Sequence, residues 1–205
     1  MPDTPVPVER ATVILPALNE ERGLRLTLEA VAEHAPGVSV SVIDDGSSDS
    51  TAAVAADAGV RVIRHASRRG KGAAIRSGAS ASSTDFLVVM DADATYPAVA
   101  IVPMIALLAD GHDYVSGVRH AGRRHIPVVN RLGNAMIGAT IRWMSGSMLR
   151  DPLTGMYGMH RRAWDILQPS ADGFAIETEI AVRAARMKMR TAEMPITYAE
   201  REGES

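Results

Sequence analysis

The chain of 205 residues contains no cysteine, and this absence excludes three kinds of site. Without cysteine there is no disulfide framework, no zinc site built from thiolates and no cysteine nucleophile, which fits a reducing cytoplasm. Excess charge of one sign is also missing, since 22 Lys and Arg against 24 Asp and Glu leave a formal net charge of −2. Broad nucleic-acid binding needs a basic surface, so no nucleic-acid partner is expected.

Long apolar runs are missing as well. The longest stretch without a polar side chain, Ala98 to Ala109, contains Pro103 and is far shorter than the roughly 20 residues that cross a bilayer. The first eight residues include three prolines and lack the basic and apolar regions of a secretory signal. We therefore expect a single cytoplasmic domain over residues 1–205, able to contact the inner face of a membrane peripherally.

Short β-branched or apolar runs alternate with segments of helical spacing in the first half of the chain. They predict strands over 11–15, 38–43, 60–64 and 86–90, and helices over 20–34, 47–58 and 71–81. Apolar strands separated by helices are typical of a parallel sheet covered on both faces, hence of the α/β class. The less regular second half predicts strands over 114–118 and 194–198, a loop leading into a strand over 151–159, and helices over 130–145 and 176–187.

Three polar clusters follow directly after predicted strands. They are Asn19-Glu20, Asp44-Asp45 and Asp91-Ala92-Asp93. Ligands of parallel sheets bind at the carboxyl ends of the strands, so we expect the three clusters to converge on one edge of the sheet.

The aspartates at 91 and 93 are suited to a divalent cation. Mg²⁺ is usually held by one or two carboxylates together with phosphate oxygens, and it would offset the charge of a diphosphate leaving group. The alternative is an exposed loop with two solvated aspartates. The position of the pair after an apolar strand, together with the other two clusters, favours a binding site.

The string from Asp44 to Asp49 combines two adjacent acids with turn residues. A carboxylate at a strand end can accept a hydrogen bond from a base N–H or a ribose hydroxyl. Gly46 permits a turn, and Ser47 with Asp49 can cap the next helix. A turn and a cap explain part of the string, while two acids beside a buried sheet favour nucleotide binding.

Three further strings leave their alternatives open. The basic loop 68–72 either lines a phosphate or nucleoside or is solvated, and it does not have the Walker A pattern. Asp151, before Pro152, is either a general base near an acceptor oxygen or part of a turn. Of Glu177 and Glu179, one is expected either to cap the following helix or to pair with an arginine, and the other to reach the site, with a purely structural role for both as the alternative. The sequence has no G-x-S-x-G elbow and no G-x-G-x-x-G after a strand, which argues against a serine hydrolase or a dinucleotide oxidoreductase.

In their order and spacing, these strings resemble the family-2 glycosyltransferases of the GT-A fold, close to the dolichyl- and polyprenyl-phosphate mannose or glucose synthases. The resemblance runs from Val13 to Ser205. It is carried by Pro16-Ala17-Leu18-Asn19-Glu20, Asp44-Asp45-Gly46-Ser47-Ser48-Asp49, Gly70-Lys71-Gly72, Asp91-Ala92-Asp93, Gly117-Val118-Arg119, Asp151-Pro152-Leu153-Thr154-Gly155, Gly173-Phe174, Glu177-Thr178-Glu179 and Arg201-Glu202-Gly203-Glu204-Ser205.

The resemblance implies a Rossmann-like GT-A sheet and a set of donor-binding residues. The nucleotide sugar would contact Pro16, Leu18, Glu20, Ile43, Asp44, Asp45, Lys71, Asp91, Ala92, Asp93 and Thr95. Asp91 and Asp93 would also bind Mg²⁺ or Mn²⁺. Arg119 and Arg201 would meet phosphate groups, and Asp151 matches the position proposed for the base. Residues 11–118 would form the nucleotide-sugar half and residues 119–205 the acceptor half.

The implied reaction is an inverting, metal-dependent transfer of a hexose from a nucleotide sugar of the GDP-mannose or UDP-glucose type to a polyprenyl or dolichyl phosphate. A phosphate acceptor is already an anion, so Asp151 would orient it; a hydroxyl acceptor would need Asp151 as a base. The alternatives are a glycosyltransferase with a soluble acceptor, a nucleotidyltransferase and a non-catalytic nucleotide-sugar binding protein.

Two features depart from the family pattern. In the family, the string that here ends at Ser205 usually continues with Lys-Leu, and that lysine helps to bind phosphate. Relatives also often carry C-terminal amphipathic or transmembrane helices, and this sequence includes neither feature. Membrane contact is therefore expected from residues 119–143, where Arg123, Arg124 and Arg131 precede or enter an apolar segment. A core helix with a basic loop is the equal alternative there.

Overall fold

A computed structural model describes residues 5–121, 150–151 and 153–199. Its strands are β1 (Ala11–Ala17), β2 (Ser39–Asp44), β3 (Arg61–Arg64), β4 (Phe86–Val89), β5 (Tyr114–Ala121), β6 (Tyr157–His160) and β7 (Thr191–Thr197). Its α-helices are α1 (Glu21–His34), α2 (Thr51–Asp57), α3 (Lys71–Ala81), α4 (Ile101–Ala109), α5 (Arg161–Leu167) and α6 (Ala175–Arg186). Short 3-10 helices span Val8–Arg10 and Ala98–Ala100.

The seven strands form one mostly parallel sheet, in the order β3-β2-β1-β4-β6-β5-β7. β1 pairs in parallel with both β2 and β4, and β5 pairs in parallel with β7. Only β6 runs against its two neighbours, β4 and β5. The prediction of an α/β fold with a mostly parallel sheet is confirmed.

Helices cover both faces of the sheet because the central strands are apolar on both sides. In β1, Val13 and Leu15 point to one face and Ile14 points to the other. The first face packs against apolar residues of α1, α2 and α4, among them Leu24, Leu28, Val31, Val54, Ile101 and Ile105. The second packs against α3, α5 and α6, through residues that include Ile75, Trp164, Leu167, Ile176 and Ile180. This two-sided burial fixes the strand ends relative to one another.

Several element boundaries differ from those predicted. β1 continues through Pro16 to Ala17, because its ladder with β4 ends at Ile14 and Pro16 lies where β1 pairs only with β2. The helix predicted over 47–58 begins only at Thr51, since the preceding residues form a loop that binds the end of β1. The bounds predicted for α3 are those observed.

Two short helices were not predicted. α4 holds most of the longest apolar run, and Pro103 lies in its first turn, where the missing N–H removes no helical hydrogen bond. α5 begins at the residue directly after β6, so no turn residues separate the two elements in the sequence and mark the start of a helix. The helix predicted over 130–145 lies outside the described residues. Among the helices that the structure describes, none has the length and hydropathy needed to cross a bilayer.

Candidate functional site

A cavity of about 420 Å³ opens at the carboxyl ends of β1, β2 and β4. All three predicted polar clusters contribute to its wall. The lining residues are Pro16, Ala17, Leu18, Asn19, Glu20, Asp45, Arg68, Lys71, Ala74, Asp91, Ala92, Asp93 and Phe174. Aspartates that are distant in the sequence therefore share one cleft, as the strand-end argument requires.

A larger cavity, of about 590 Å³, lies at the opposite ends of β2 and β3, against α1 and α2. Most of its lining is aliphatic, and its charged members are Arg25, Glu29 and Asp57. It lacks the converging polar groups that fix a ligand's orientation, so size does not make it the better candidate.

The loops after β1 and β2 are joined by a network of hydrogen bonds. Asn19 has a left-handed backbone (φ 54°), and its Oδ1 accepts the Ser48 N–H at 2.9 Å. In return the Ser47 Oγ accepts the Asn19 N–H at 2.9 Å, and the Thr51 Oγ1 accepts the Glu20 N–H at 2.9 Å. The network fixes the cavity wall from Pro16 to Glu20 against the next loop.

Asp44 and Asp45 have different surroundings although they are adjacent. Asp44 is fully buried and outside the cavity lining. One of its oxygens accepts the Ser47 N–H at 2.8 Å, and the other lies 3.0 Å from the Arg64 Nε. Asp44 therefore holds the turn, the role that the turn interpretation gave to this string.

Asp45 faces the cavity and organises the loop that follows β3. Its carboxylate lies 2.6 Å from the His65 Nδ1 and accepts the N–H groups of Arg69 (2.9 Å) and Gly70 (2.7 Å). The other ring nitrogen of His65 lies 2.9 Å from the Ser77 Oγ on α3. Burial alone would raise the pKa of Asp45, but these hydrogen bonds and His65 hold it below its ordinary value.

Lys71 joins two carboxylates beside the cavity. Its Nζ lies 2.5 Å from Asp91 Oδ1 and 2.6 Å from Glu177 Oε1, and the side chains of Lys71 and Glu177 are largely buried. Burial alone would lower the pKa of Lys71, but the two carboxylates raise it above its ordinary value. Glu177 Oε2 is buried and lacks a hydrogen-bond partner among the described residues.

Glycines fix Lys71 at the first position of α3. The Gly72 N–H donates to the Asp172 carbonyl at 2.7 Å, and a Cβ on Gly70 or Gly72 would overlap the backbone of residues 171–172. Gly70 also has φ 96°, a conformation that favours glycine. The start of α3 is therefore held close to the segment that leads to α6 and Glu177.

The loop after β4 presents Asp91 and Asp93. The Asp93 Oδ1 accepts the Thr95 hydroxyl at 2.6 Å, which leaves Thr95 buried behind the aspartate. Gly155 contacts the Asp91 carboxylate so closely that a Cβ there would overlap it, and the Gly155 N–H donates to the Tyr96 hydroxyl at 2.7 Å. Small residues and a buried tyrosine thus set the direction of the Asp91 carboxylate.

Arg119 and Asp151 form a bidentate ion pair outside the cavity lining. The Arg119 Nε and Nη2 each lie 2.7 Å from an Asp151 oxygen, and both side chains are about nine-tenths buried. The guanidinium also lies over the Tyr198 ring, at 5.6 Å from its centroid. Burial alone would lower the pKa of Arg119, but Asp151 raises it above its ordinary value. Asp151 therefore orients an arginine here.

The donor set fits a divalent cation that a ligand helps to hold. Asp91 and Asp93 both line the cavity, and carboxylate oxygen is the ligand type that Mg²⁺ and Mn²⁺ prefer. Within the described ranges, no three His, Cys, Asp or Glu side chains come together as a metal site. A cation there would therefore need further oxygens from a ligand such as a diphosphate.

Most of the predicted donor-binding residues meet at the cavity, and three lie outside its lining. Pro16, Leu18, Glu20, Asp45, Lys71, Asp91, Ala92 and Asp93 line it, whereas Ile43, Asp44 and Thr95 are buried beside it. Arg201 lies outside the described residues. His65 was not predicted as a site residue, yet it directly follows β3, so the strand-end rule applied to the third strand would have found it.

Comparison with known proteins gives a consistent match. Residues 12–168 match the family model described as glycosyl transferase family 2. Glycosyltransferase AglJ of Haloferax volcanii is 36% identical over 165 residues, which are 79% of this chain and 54% of AglJ. The chain thus spans about half the length of that relative. The dolichyl-phosphate hexose transferase of the same organism is 30% identical over 194 residues, which are 94% of this chain and 84% of the relative.

Solved structures match over nearly the whole chain. Glucosyl-3-phosphoglycerate synthase from Mycobacterium tuberculosis, in complex with Mn²⁺, UDP-glucose and phosphoglyceric acid, superposes with a TM-score of 0.77 at 26% identity. The match covers 95% of this chain and 72% of the synthase. The same enzyme with Mg²⁺ and UDP gives a TM-score of 0.78.

Replacing Asp45 by Asn tests its role as the organiser of the loop after β3. We expect the free energy of unfolding at pH 7 to fall by at least about 1.5 kcal/mol, because the bonds of His65 and two amides to a charged group are lost. The pKa of Asp45 in the folded protein lies below its ordinary value of 3.8. Its contribution is therefore complete above that value and is lost as the pH falls through the folded-state pKa.

Urea denaturation of the wild type and Asp45→Asn, at pH 7 and at successively lower pH, measures this difference. The gap between the two proteins should narrow in acid. The control is Asp165→Asn, an exposed carboxylate on α5, which should change stability by less than about 0.5 kcal/mol. Equal stability of Asp45→Asn and the wild type at every pH would contradict the assignment.

Proposed function

Because the chain belongs to glycosyl transferase family 2, we propose that it transfers a hexose from a nucleotide sugar to a polyprenyl phosphate, with inversion at the anomeric carbon. The observation that carries the proposal is the meeting of Asp45, Lys71, Asp91 and Asp93 in one cavity at the strand ends. Its volume is typical of small-ligand sites. The name of the dolichyl-phosphate hexose transferase relative supports the class of acceptor.

The lining residues fall into two groups by their chemistry. Pro16 to Glu20, Asp45 and Arg68 would take the nucleoside of a GDP-mannose or UDP-glucose type donor. Lys71, Asp91 and Asp93 would take the diphosphate. The complex of the mycobacterial synthase with UDP-glucose supports a donor of this class.

Asp91 and Asp93 would hold Mg²⁺ or Mn²⁺, which supplies Lewis-acid stabilisation of the negative charge that develops on the departing nucleoside diphosphate. Lys71 adds a protein cation beside Asp91. Positive charge that is already in place where the leaving group becomes more negative lowers the barrier, because it needs no reorganisation during the reaction.

The pair of Arg119 and Asp151 favours a phosphate acceptor over a hydroxyl acceptor. Both Asp151 oxygens are within 2.7 Å of the Arg119 guanidinium, so the carboxylate orients that cation and is poorly placed to collect a proton. A phosphate monoester is already an anion and needs no general base. Arg119 would bind it, aided by Arg201 and by the basic segment 123–131, both outside the described residues. A lipid-linked acceptor further implies peripheral contact with a bilayer surface.

A soluble acceptor is the second candidate. The mycobacterial synthase was crystallised with phosphoglyceric acid, which also carries a phosphate. A small phosphorylated acid would use the same arginine without membrane contact. The two candidates differ in whether the acceptor carries a lipid chain, and an assay can separate them directly.

Release of nucleoside diphosphate measures the proposed reaction. UDP-glucose or GDP-mannose is incubated with the protein and Mn²⁺, alone, with a polyprenyl phosphate or with 3-phosphoglycerate. We expect release that depends on the polyprenyl phosphate, and an Asp91→Asn variant slower by about 100-fold or more. Asp85→Asn is the control, because this half-exposed carboxylate precedes β4 at the far edge of the sheet. If only 3-phosphoglycerate stimulates the release of nucleoside diphosphate, the acceptor is a soluble phosphorylated acid and not a polyprenyl phosphate. If no combination of donor and acceptor gives release, transferase activity on these substrates is refuted.

Asp151→Asn separates an orienting role from a general base. With polyprenyl phosphate we expect a raised KM for the acceptor and a loss in kcat well below the roughly 100-fold or more of general-base removal, because only the hold on Arg119 is weakened. Asp113→Asn is the matched control: its carboxylate lies 3.0 Å from Arg162 at the other end of β5. A fall in kcat of about 100-fold or more with unchanged KM would show that Asp151 acts as the base.

A further inference from the structure

Lys71 is paired with one oxygen of an aspartate that we assign to the metal ion. Its ammonium lies 2.5 Å from Asp91 Oδ1, inside the wall of the same cavity. A divalent cation that coordinates this oxygen must displace Lys71 or accept a second positive charge next to it. Two cations that share one carboxylate oxygen lie within a few ångströms of each other and repel strongly, most of all where both are shielded from water.

Three groups hold the Lys71 ammonium. Besides Asp91, it lies 2.6 Å from Glu177 Oε1, and the Phe174 ring centroid lies 5.5 Å away. The Lys71 side chain is only 12% exposed, so water screens these contacts weakly. The fixed start of α3 and its glycine contacts with residues 171–172 prevent the main chain from withdrawing. With the main chain held in this way, the ammonium can leave Asp91 by a turn of the Lys71 side chain.

Lys71 borders the cavity as well as its two carboxylate partners. Lys71 lines the cavity together with Arg68 and both aspartates. A diphosphate in this cavity would bring oxygens with negative charge within reach of the ammonium, which would then exchange Asp91 for phosphate while Glu177 still holds it. Asp91 Oδ1 would be released to a metal in the same event.

We propose that Lys71 competes internally with the divalent cation for Asp91, and that a nucleoside diphosphate ends this competition by drawing Lys71 to its phosphates. The inference rests on the proposed function and adds a coupling between two ligands. Metal and nucleotide each stabilise the arrangement that the other needs, so each raises the affinity of the other. The metal site therefore fills together with the donor rather than before it.

The competition predicts opposite effects of one substitution on two separate ligands. Lys71→Met should bind Mn²⁺ alone more tightly than the wild type, by about fivefold or more, because the competing cation is gone. The same variant should bind UDP or GDP without metal more weakly, because a phosphate partner is lost. A residue that only supported the fold would weaken both ligands or neither.

Electron paramagnetic resonance of free Mn²⁺ measures the first affinity, and calorimetry with UDP and GDP in a chelator measures the second. Lys188→Met is the matched control: Lys188 is the other lysine of the chain and is exposed just beyond α6. It removes the same net charge and should leave both affinities unchanged. Lys71→Arg restores a cation, so its affinity for Mn²⁺ alone should stay low.

Circular dichroism first establishes that the variants fold. If Lys71→Met does not fold, Lys71→Gln replaces it, with the same expected rise in Mn²⁺ affinity and fall in nucleotide affinity. An Mn²⁺ affinity that is equal or lower in the folded variant overturns the competition. An unchanged affinity for the nucleotide overturns the exchange onto phosphate. If the wild type binds neither UDP nor GDP under any condition, the proposed function fails, while the Mn²⁺ measurement still decides whether Lys71 competes.

Discussion

The parallel pairing of β1 with both β2 and β4 is the constraint on which the site depends. Because the three strands run in one direction, the residues that follow each of them emerge at the same edge of the sheet. Apolar packing on both faces keeps this alignment rigid. The carboxylates of Asp45, Asp91 and Asp93 therefore line one cavity, and Lys71 offsets the negative charge of Asp91 and of Glu177 beside it.

The convergence of the three polar clusters on one cavity could be predicted from the sequence because the strand-end rule needs only strand positions. Which member of an acidic pair faces the cavity could not be predicted in the same way. Side chains alternate in direction along a strand and just beyond it, so Asp44 turns into the fold while Asp45 turns to the cavity. A shift of one residue at the end of β2 would exchange their roles, and composition alone does not set that register.

Local sequence patterns do not predict which residues that are distant in the sequence will pair. Asp151 was predicted as either a base or a turn residue, and its bidentate contact with Arg119 depends on how β5 approaches the loop before β6. The same holds for Glu177, which shares Lys71 with Asp91 only because α3 and α6 pack on one face of the sheet. The short apolar helix α4 was not predicted, because Pro103 was interpreted as an interruption of the apolar run, whereas a proline in the first turn is compatible with a helix.

The central claim is that the cavity at the ends of β1, β2 and β4 seats the nucleotide of the donor. A crystal structure of the protein with Mn²⁺ and UDP or GDP tests it most directly. The account predicts the diphosphate between Lys71 and the pair Asp91 and Asp93, with the nucleoside beside Asp45. A nucleotide bound instead in the aliphatic cavity against α1 and α2, with the aspartates free of metal, would contradict it.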